Sequence, residues 1–171
     1  MTVSPTASAL LFFDQYVSPV GAISVLGGPA GLRSTGWQLS PKSGRPEPDE
    51  TVQRSVAQLE EYFAGRRRSF DLPLDLPAMP AAARAVLDAL QGIGYGETIT
   101  YAELAVRSGT GLPARAIGSV MGANPLPIVI PCHRVVASDG LGGYSGGEPG
   151  RELATKRWLL ELEGALPPAL F

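Results

Sequence analysis

TYAELAVRSGTGLPARAIGSVMGAN, residues Thr100 to Asn124, holds two short helical patterns separated by a glycine-bearing break. Thr100 reads as an N-cap because Glu103 follows three residues on, the spacing of a capping box. Gly109 and Gly111 then interrupt the periodicity. Pro113 opens the second pattern at a first-turn position, where its missing N–H costs no hydrogen bond. Two short helices across such a turn predict a helix-turn-helix. Many such pairs only pack, so these residues alone leave DNA binding open.

Working outward, AAARAVLDALQGIG (Ala81–Gly94) is alanine-rich and helical up to its glycines. Downstream, PLPIVIPCHRVV (Pro125–Val136) is apolar and β-branched, yet its prolines cannot donate to a ladder, which predicts an edge or irregular buried segment. SDGLGGYSGG (Ser138–Gly147) reads as a glycine-rich loop. RELATKRWLLELEG (Arg151–Gly164) reads as a last helix with Leu153, Trp158 and Leu162 on its inner face. Upstream, LLFFDQYVSPVGAISVLGG (Leu10–Gly28) offers two β-rich runs across a Ser-Pro-Val-Gly turn, a hairpin pattern. Ser40 to Glu50 is a polar, proline-rich loop. ETVQRSVAQLEEYFAG (Glu50–Gly65) carries Val52, Val56, Leu59 and Phe63 at helical spacing, and the proline-broken SFDLPLDLPAMP (Ser69–Pro80) reads as the linker between halves. The expected fold is α+β. A small amino-terminal β-hairpin or sheet with one helix (residues 1–78, a support domain) precedes a mostly helical carboxy-terminal domain (79–171) that carries the helix-turn-helix and the active site.

Composition narrows the function classes. The chain has 171 residues, 44% of them apolar, and long enough to bury a core. No run reaches the roughly 18 uncharged apolar residues of a membrane helix, so no membrane partner is expected. The opening MTVSPTASALLFF has no basic segment ahead of its apolar run, unlike a secretory signal. A single cysteine fits a reducing cytoplasm, and one cysteine with one histidine cannot make a four-ligand zinc site of the Cys/His type. The net charge of −2 argues mildly against nucleic acid. Between Thr100 and Val136, however, Arg107, Arg115 and Arg134 face only Glu103, a local +2.

That one cysteine and that one histidine are adjacent, in IPCHRVV (Ile130–Val136). A lone cysteine is most often a small buried hydrophobe. Here Arg134, and His133 when protonated, can stabilise a thiolate and lower a pKa that starts near ~8.5, while Pro131 stiffens the segment. On an extended chain neighbouring side chains point to opposite faces, so a direct Cys132–His133 contact is not expected. A water or a bent backbone must join them. There is no second histidine for the two half-reactions of a cysteine hydrolase.

IPCHRVV resembles the active-site motif of the O6-alkylguanine-DNA alkyltransferases. TYAELA, ARAIGSVMGANP, GGYSGG and KRWLLELEG are similar to further motifs of that family, in its order and at nearly its spacing. The resemblance is strong from Gly94 to Gly164 and looser in the amino-terminal half. It implies direct-reversal repair without cofactor or metal: Cys132 takes a methyl or other alkyl group from O6-alkylguanine, with O4-alkylthymine as a second candidate lesion, in double-stranded DNA, keeps it as a thioether, and is consumed. It implies that His133 acts through a water as base, that Glu163 holds the imidazole, and that Asn124 braces the active-site segment. Tyr101 and Arg115, with Ala114, Ala116 and Gly118, are implied to meet DNA in the minor groove. There the tyrosine helps rotate the nucleotide and the arginine fills the stack behind the extruded base. Tyr144, Ser145 and Val135 are implied to form the guanine pocket, and the protein is expected to be a monomer in solution, with cooperative binding on DNA left open. Gly122 stands where some relatives carry an arginine, a weaker grip on phosphate. A lesion-binding protein that signals to another pathway is the alternative reading, and a cysteine hydrolase a third.

Overall fold

A computed structural model describes residues 10–38 and 47–167. By contacts the chain forms two compact units, one ending at Pro77 and the other beginning at Ala78. Most of the Ser40–Glu50 loop and the first nine residues of the opening segment lie outside the described residues.

The first unit is a three-stranded antiparallel meander with one helix on it. β1 (Phe12–Ser18) pairs with β2 (Gly21–Gly28), and β2 pairs with β3 (Gly31–Gly36), in the order β1-β2-β3. The register runs from Phe12 opposite Gly27 to Ser18 opposite Gly21, which leaves Pro19-Val20 as a two-residue turn. α1 (Glu50–Phe63) starts on Asp49, whose side chain accepts from the Val52 N–H, so Glu50 is the first helical residue and not the end of the loop. Val52, Leu59, Tyr62 and Phe63 of α1, with Phe13, Ile23, Val25 and Leu32 of the sheet, form the core. The boundary between the units falls within Ser69–Pro80, and the first part of that stretch is tied to the sheet, as Leu32 N–H donates to Pro73 O and Asp75 N–H to Leu32 O at 2.8 and 2.9 Å. The Arg33–Asp75 ion pair at 2.8 Å fixes the same strip. Proline bars a full ladder but not a single bridge at an exposed edge.

The second unit contains α2 (Ala81–Leu90), β4 (Ile99–Thr100), α3 (Tyr101–Ser108), α4 (Ala114–Gly122), a 3₁₀ turn (Cys132–Arg134), β5 (Val135–Val136) and α5 (Glu152–Leu162). The capping box forms: Thr100 Oγ1 accepts from the Glu103 N–H, and the Glu103 carboxylate accepts from the Thr100 N–H at 2.8 Å. Such a cap is worth about 1 kcal/mol. Gly109 ends α3 at φ 65°, a left-handed cap that favours glycine. Leu104, Ile117 and Met121 are buried as α3 and α4 pack together. β4 and β5 pair in parallel, Ile99 opposite Val135 and Thr100 opposite Val136. This short ladder matters because the N-cap of the helix-turn-helix and the residue after the Cys132–Arg134 turn hang from it together.

α5 departs from its expected orientation. Its buried residues are Thr155, Lys156, Leu159 and Leu160, while Leu153 is 52% exposed and Trp158 and Leu162 are half-buried. The inner face is partly polar, so apolar spacing alone chose the wrong side.

Candidate active site

Cys132 begins the 3₁₀ turn, preceded by an irregular segment that α4 launches and Asn124 ties down. Asn124 Nδ2 donates to Ile130 O at 2.9 Å, and Asn124 Oδ1 accepts from the Leu126 N–H at 3.0 Å. Between those anchors Ile128 is buried with φ 76°. A β-branched residue in the left-handed region costs about 1–3 kcal/mol and persists only where its surroundings over-determine it. The segment is therefore bent and held. That bend is how a sequence of strand-like residues comes to present its cysteine from a tight turn.

Cys132 is 5% exposed, at the base of a cleft of about 590 Å³. The cleft is lined by Tyr101, Ala114, Arg115, Gly118, Met121 and Gly122 on the helix-turn-helix, and by Gly143, Tyr144 and Ser145 on the glycine loop. Burial pushes the thiol above its ordinary pKa. The Asn124 side chain, the Lys156 charge and nearby backbone N–H groups pull it back in part.

Behind the cysteine lies a buried charge cluster. Glu163, just past the last turn of α5, places Oε1 2.8 Å from His133 Nε2 and 2.9 Å from Arg134 Nη2, and Oε2 2.9 Å from Arg134 Nε. Burial alone would raise this carboxyl, but the hydrogen bonds and charges of His133 and Arg134 hold it at about 2. An ionised carboxylate only accepts, so His133 Nε2 carries the proton and Nδ1 keeps a free lone pair. Burial lowers the His133 pKa, outweighing the carboxylate that favours protonation. The ring is therefore neutral at pH 7. Its Nδ1 is buried and has no partner among the described residues.

Arg134 does not serve the thiol or the surface patch read from the sequence. Its guanidinium is buried, spent on Glu163 and on Ile93 O at 2.6 Å. Desolvation makes an unpaired guanidinium too costly there, so it stays with its carboxylate. The cation that acts on the thiol is Lys156 of α5, absent from the sequence reading. Fully buried, it donates to Val135 O at 2.6 Å and Gly143 O at 2.8 Å, with Nζ 6.0 Å from the Tyr101 ring centre. Burial lowers it to about 8, against the pull of Cys132. Lysine amid ATKRWLL reads as a solvated charge. Only its spacing of seven residues before Glu163, two turns along one face, could have signalled it.

Tyr101 Oη donates to Gly143 O at 3.3 Å. Gly142, at φ 72°, makes room for that ring, since a Cβ there would stand 2.9 Å from it. Tyr144 stays a phenol, its pKa raised by burial and by the Cys132 and Glu163 charges, and its buried Oη has no partner among the described residues. Of the residues singled out in the sequence, Cys132, Tyr101, Ala114, Arg115, Gly118, Tyr144 and Ser145 meet at the cleft. His133, Glu163 and Asn124 stand behind it, and Ala116 and Val135 are not part of its wall. Met121 is the lining residue that sequence reasoning left out.

With this geometry in hand, comparison with known proteins is direct. The family 6-O-methylguanine DNA methyltransferase matches twice, its DNA binding domain over residues 81–165 and its ribonuclease-like domain over residues 11–76. A methylated-DNA–protein-cysteine methyltransferase of Methanosarcina acetivorans is 36% identical over 161 residues, covering 91% of this chain and 99% of the relative. That of Mycobacterium bovis is 40% identical over 165 residues, covering 94% and 96%. A crystal structure of Mycobacterium tuberculosis OGT in complex with DNA superposes with a TM-score of 0.79 at 37% identity, covering 92% of this chain and 96% of that one. The chain belongs to the 6-O-methylguanine DNA methyltransferase family.

Proposed function

We propose that this protein repairs DNA by moving the alkyl group of an O6-alkylguanine onto its own Cys132, once per molecule. The observation that carries the reading is the buried thiol at the base of an open cleft, backed by a neutral histidine with a free Nδ1. A thiol whose pKa burial has raised is not ionised at pH 7 without a base. His133 Nδ1 supplies one, across a bridging water, because Glu163 fixes the opposite tautomeric proton. The thiolate sulfur then bonds the alkyl carbon as the carbon–O6 bond breaks. The electron pair passes to guanine O6, where the Ser145 N–H and the Tyr144 hydroxyl meet it and guanine recovers a proton.

A base inside a duplex cannot reach a sulfur at the base of a cleft, so the nucleotide must be extruded. Arg115, exposed on α4 at the rim, is suited to fill the space left in the stack, and the small Ala114, Ala116 and Gly118 let the helix approach a minor groove. Tyr101 guides the turning nucleotide. DNA is the partner, the lesion is O6-alkylguanine, and the protein acts as a monomer. No helix among the described residues is long and apolar enough to cross a membrane.

The test is Cys132→Ser on duplex DNA containing O6-methylguanine. A hydroxyl is similar in size and far less nucleophilic, so methyl transfer should vanish while binding to the alkylated duplex persists. Methyl transfer by the serine variant would refute the assignment.

A further inference from the structure

The carboxylate that fixes the His133 proton belongs to Glu163, which stands just past the last residue of α5. Helix ends fray, so a side chain there keeps its place only if the end is held. The last carbonyls of a helix also lack partners within it. Leu160 O accepts from the Ala165 and Leu166 N–H groups, and Glu161 O from the Gly164 N–H. Leu162 O accepts from the hydroxyl of Tyr95 at 3.1 Å, across 67 residues of sequence.

Tyr95 lies in the turn of residues 93–97, between α2 and β4, and that turn meets the charge cluster repeatedly. Ile93 O accepts from Arg134 Nη1 at 2.6 Å. The Arg134 guanidinium carbon is 6.0 Å from the centre of the Tyr95 ring, within reach of a cation–π contact. The Gly96 N–H reaches Glu163 Oε2 at 3.5 Å. Gly96 has φ 80°, and a Cβ on it would stand 2.9 Å from Glu163 O, so glycine is what lets the turn come this close. The turn is also closed on itself. The Glu97 carboxylate accepts from the Gly94 N–H at 2.8 Å, and Gly94 O accepts from the Glu97 N–H at 3.1 Å. The wall of the cleft includes none of these five residues, so any effect they have on the chemistry passes through Glu163 and Arg134.

We infer that Tyr95 is a positioning residue for the transfer: its hydroxyl pins the end of α5 and so keeps the Glu163 carboxylate aimed at His133 Nε2. The inference rests on the alkyl-transfer reading above. Without the pin the helix end frays, the carboxylate drifts from Nε2, and the imidazole proton is released to solvent or to Nδ1. A ring protonated on Nδ1 has no lone pair there to accept the thiol proton. A ring that merely swings loses the geometry that proton transfer needs.

The experiment uses Tyr95→Phe, which keeps the ring over Arg134, and with it the fold, and removes only the hydroxyl. His133 is the only histidine of the chain, so its imidazole N–H gives a single NMR signal, and exchange of that proton with solvent requires the ring to part from Glu163. Tyr95→Phe should speed this exchange in the free protein by about 2–10-fold, the worth of one neutral hydrogen bond. Single-turnover methyl transfer, measured at saturating duplex DNA carrying O6-methylguanine, should slow by about 2–10-fold as well. A merely structural tyrosine would lower stability and leave both readouts at their wild-type values. Either change without the other, or neither, overturns the inference and leaves the transfer reading intact. A wild type that transfers no methyl group removes the transfer reading and this inference with it.

Discussion

Glu163 accepts three hydrogen bonds from His133 and Arg134, and a longer one from the Gly96 N–H at 3.5 Å, with its own side chain fully buried. Its carboxyl is depressed from an ordinary 4.5 to about 2. A depressed carboxyl adds stability that is fully present above pH 4.5 and lost as pH falls toward 2, about 3 kcal/mol in all. Glu163→Gln should therefore cost about 3–5 kcal/mol at pH 7, because it leaves the Arg134 guanidinium buried without a counter-charge. It should also flatten the acid limb of stability between pH 4.5 and 2, read from denaturant melts across that range. Methyl transfer should slow as well, since an amide can donate to Nε2 and move the ring proton onto Nδ1, removing the base. A variant as stable as wild type would return Glu163 to a helix-end charge. Lys156 makes a second test. Lys156→Met removes the charge that pulls the Cys132 pKa down, so a thiolate absorbance titration should move to higher pH. An unmoved titration with lower stability would make the lysine only a clamp between Val135 and Gly143.

At the scale of elements, the helix-turn-helix is the part most legible in the chain. Thr100, Glu103 and Gly109 are local signals, and local hydrogen bonds obey them whatever surrounds the helix. The charge cluster was legible only in part. Adjacency of Cys132 and His133 marked the site, but the sequence cannot say that a 3₁₀ turn separates their side chains, or that Arg134 turns inward. Those outcomes depend on long-range partners, Glu163 and Ile93. α5 failed for the same reason, because Thr155, Lys156 and Glu163 face the site and make its inner face polar. Arg115 tests whether α4 works on DNA or only packs. If its guanidinium replaces an extruded base, Arg115→Ala leaves an unstacking cost of a few kcal/mol unmet and slows repair of duplex DNA strongly. The free base O6-benzylguanine needs no extrusion, so its reaction with Cys132 should stay within about twofold of wild type. A mere phosphate contact predicts a modest, salt-dependent loss of affinity instead. Equal slowing on both substrates would withdraw the stacking role.

For the molecule as a whole, the two units follow different logic. The amino-terminal unit is a meander and helix whose first hairpin and helical spacing were readable, while the Asp49 cap lay within what read as a loop and the pairing of Leu32 with the Pro73–Asp75 strip was hidden by its prolines. The carboxy-terminal unit draws its proposed reactive groups from the helix-turn-helix, the Cys132–Arg134 turn, the glycine loop and α5, and the thioether proposed on Cys132 is a stable carbon–sulfur bond. Stoichiometric consumption is the consequence, and it separates this account from a lesion sensor or a hydrolase. The direct measurement is intact mass, followed by peptide mapping, after incubation with excess duplex DNA carrying O6-methylguanine. The account predicts that each protein molecule gains one methyl group, on Cys132, and that an equal amount of unmodified guanine appears in the DNA. DNA binding without any mass gain, or turnover beyond one equivalent, would contradict it.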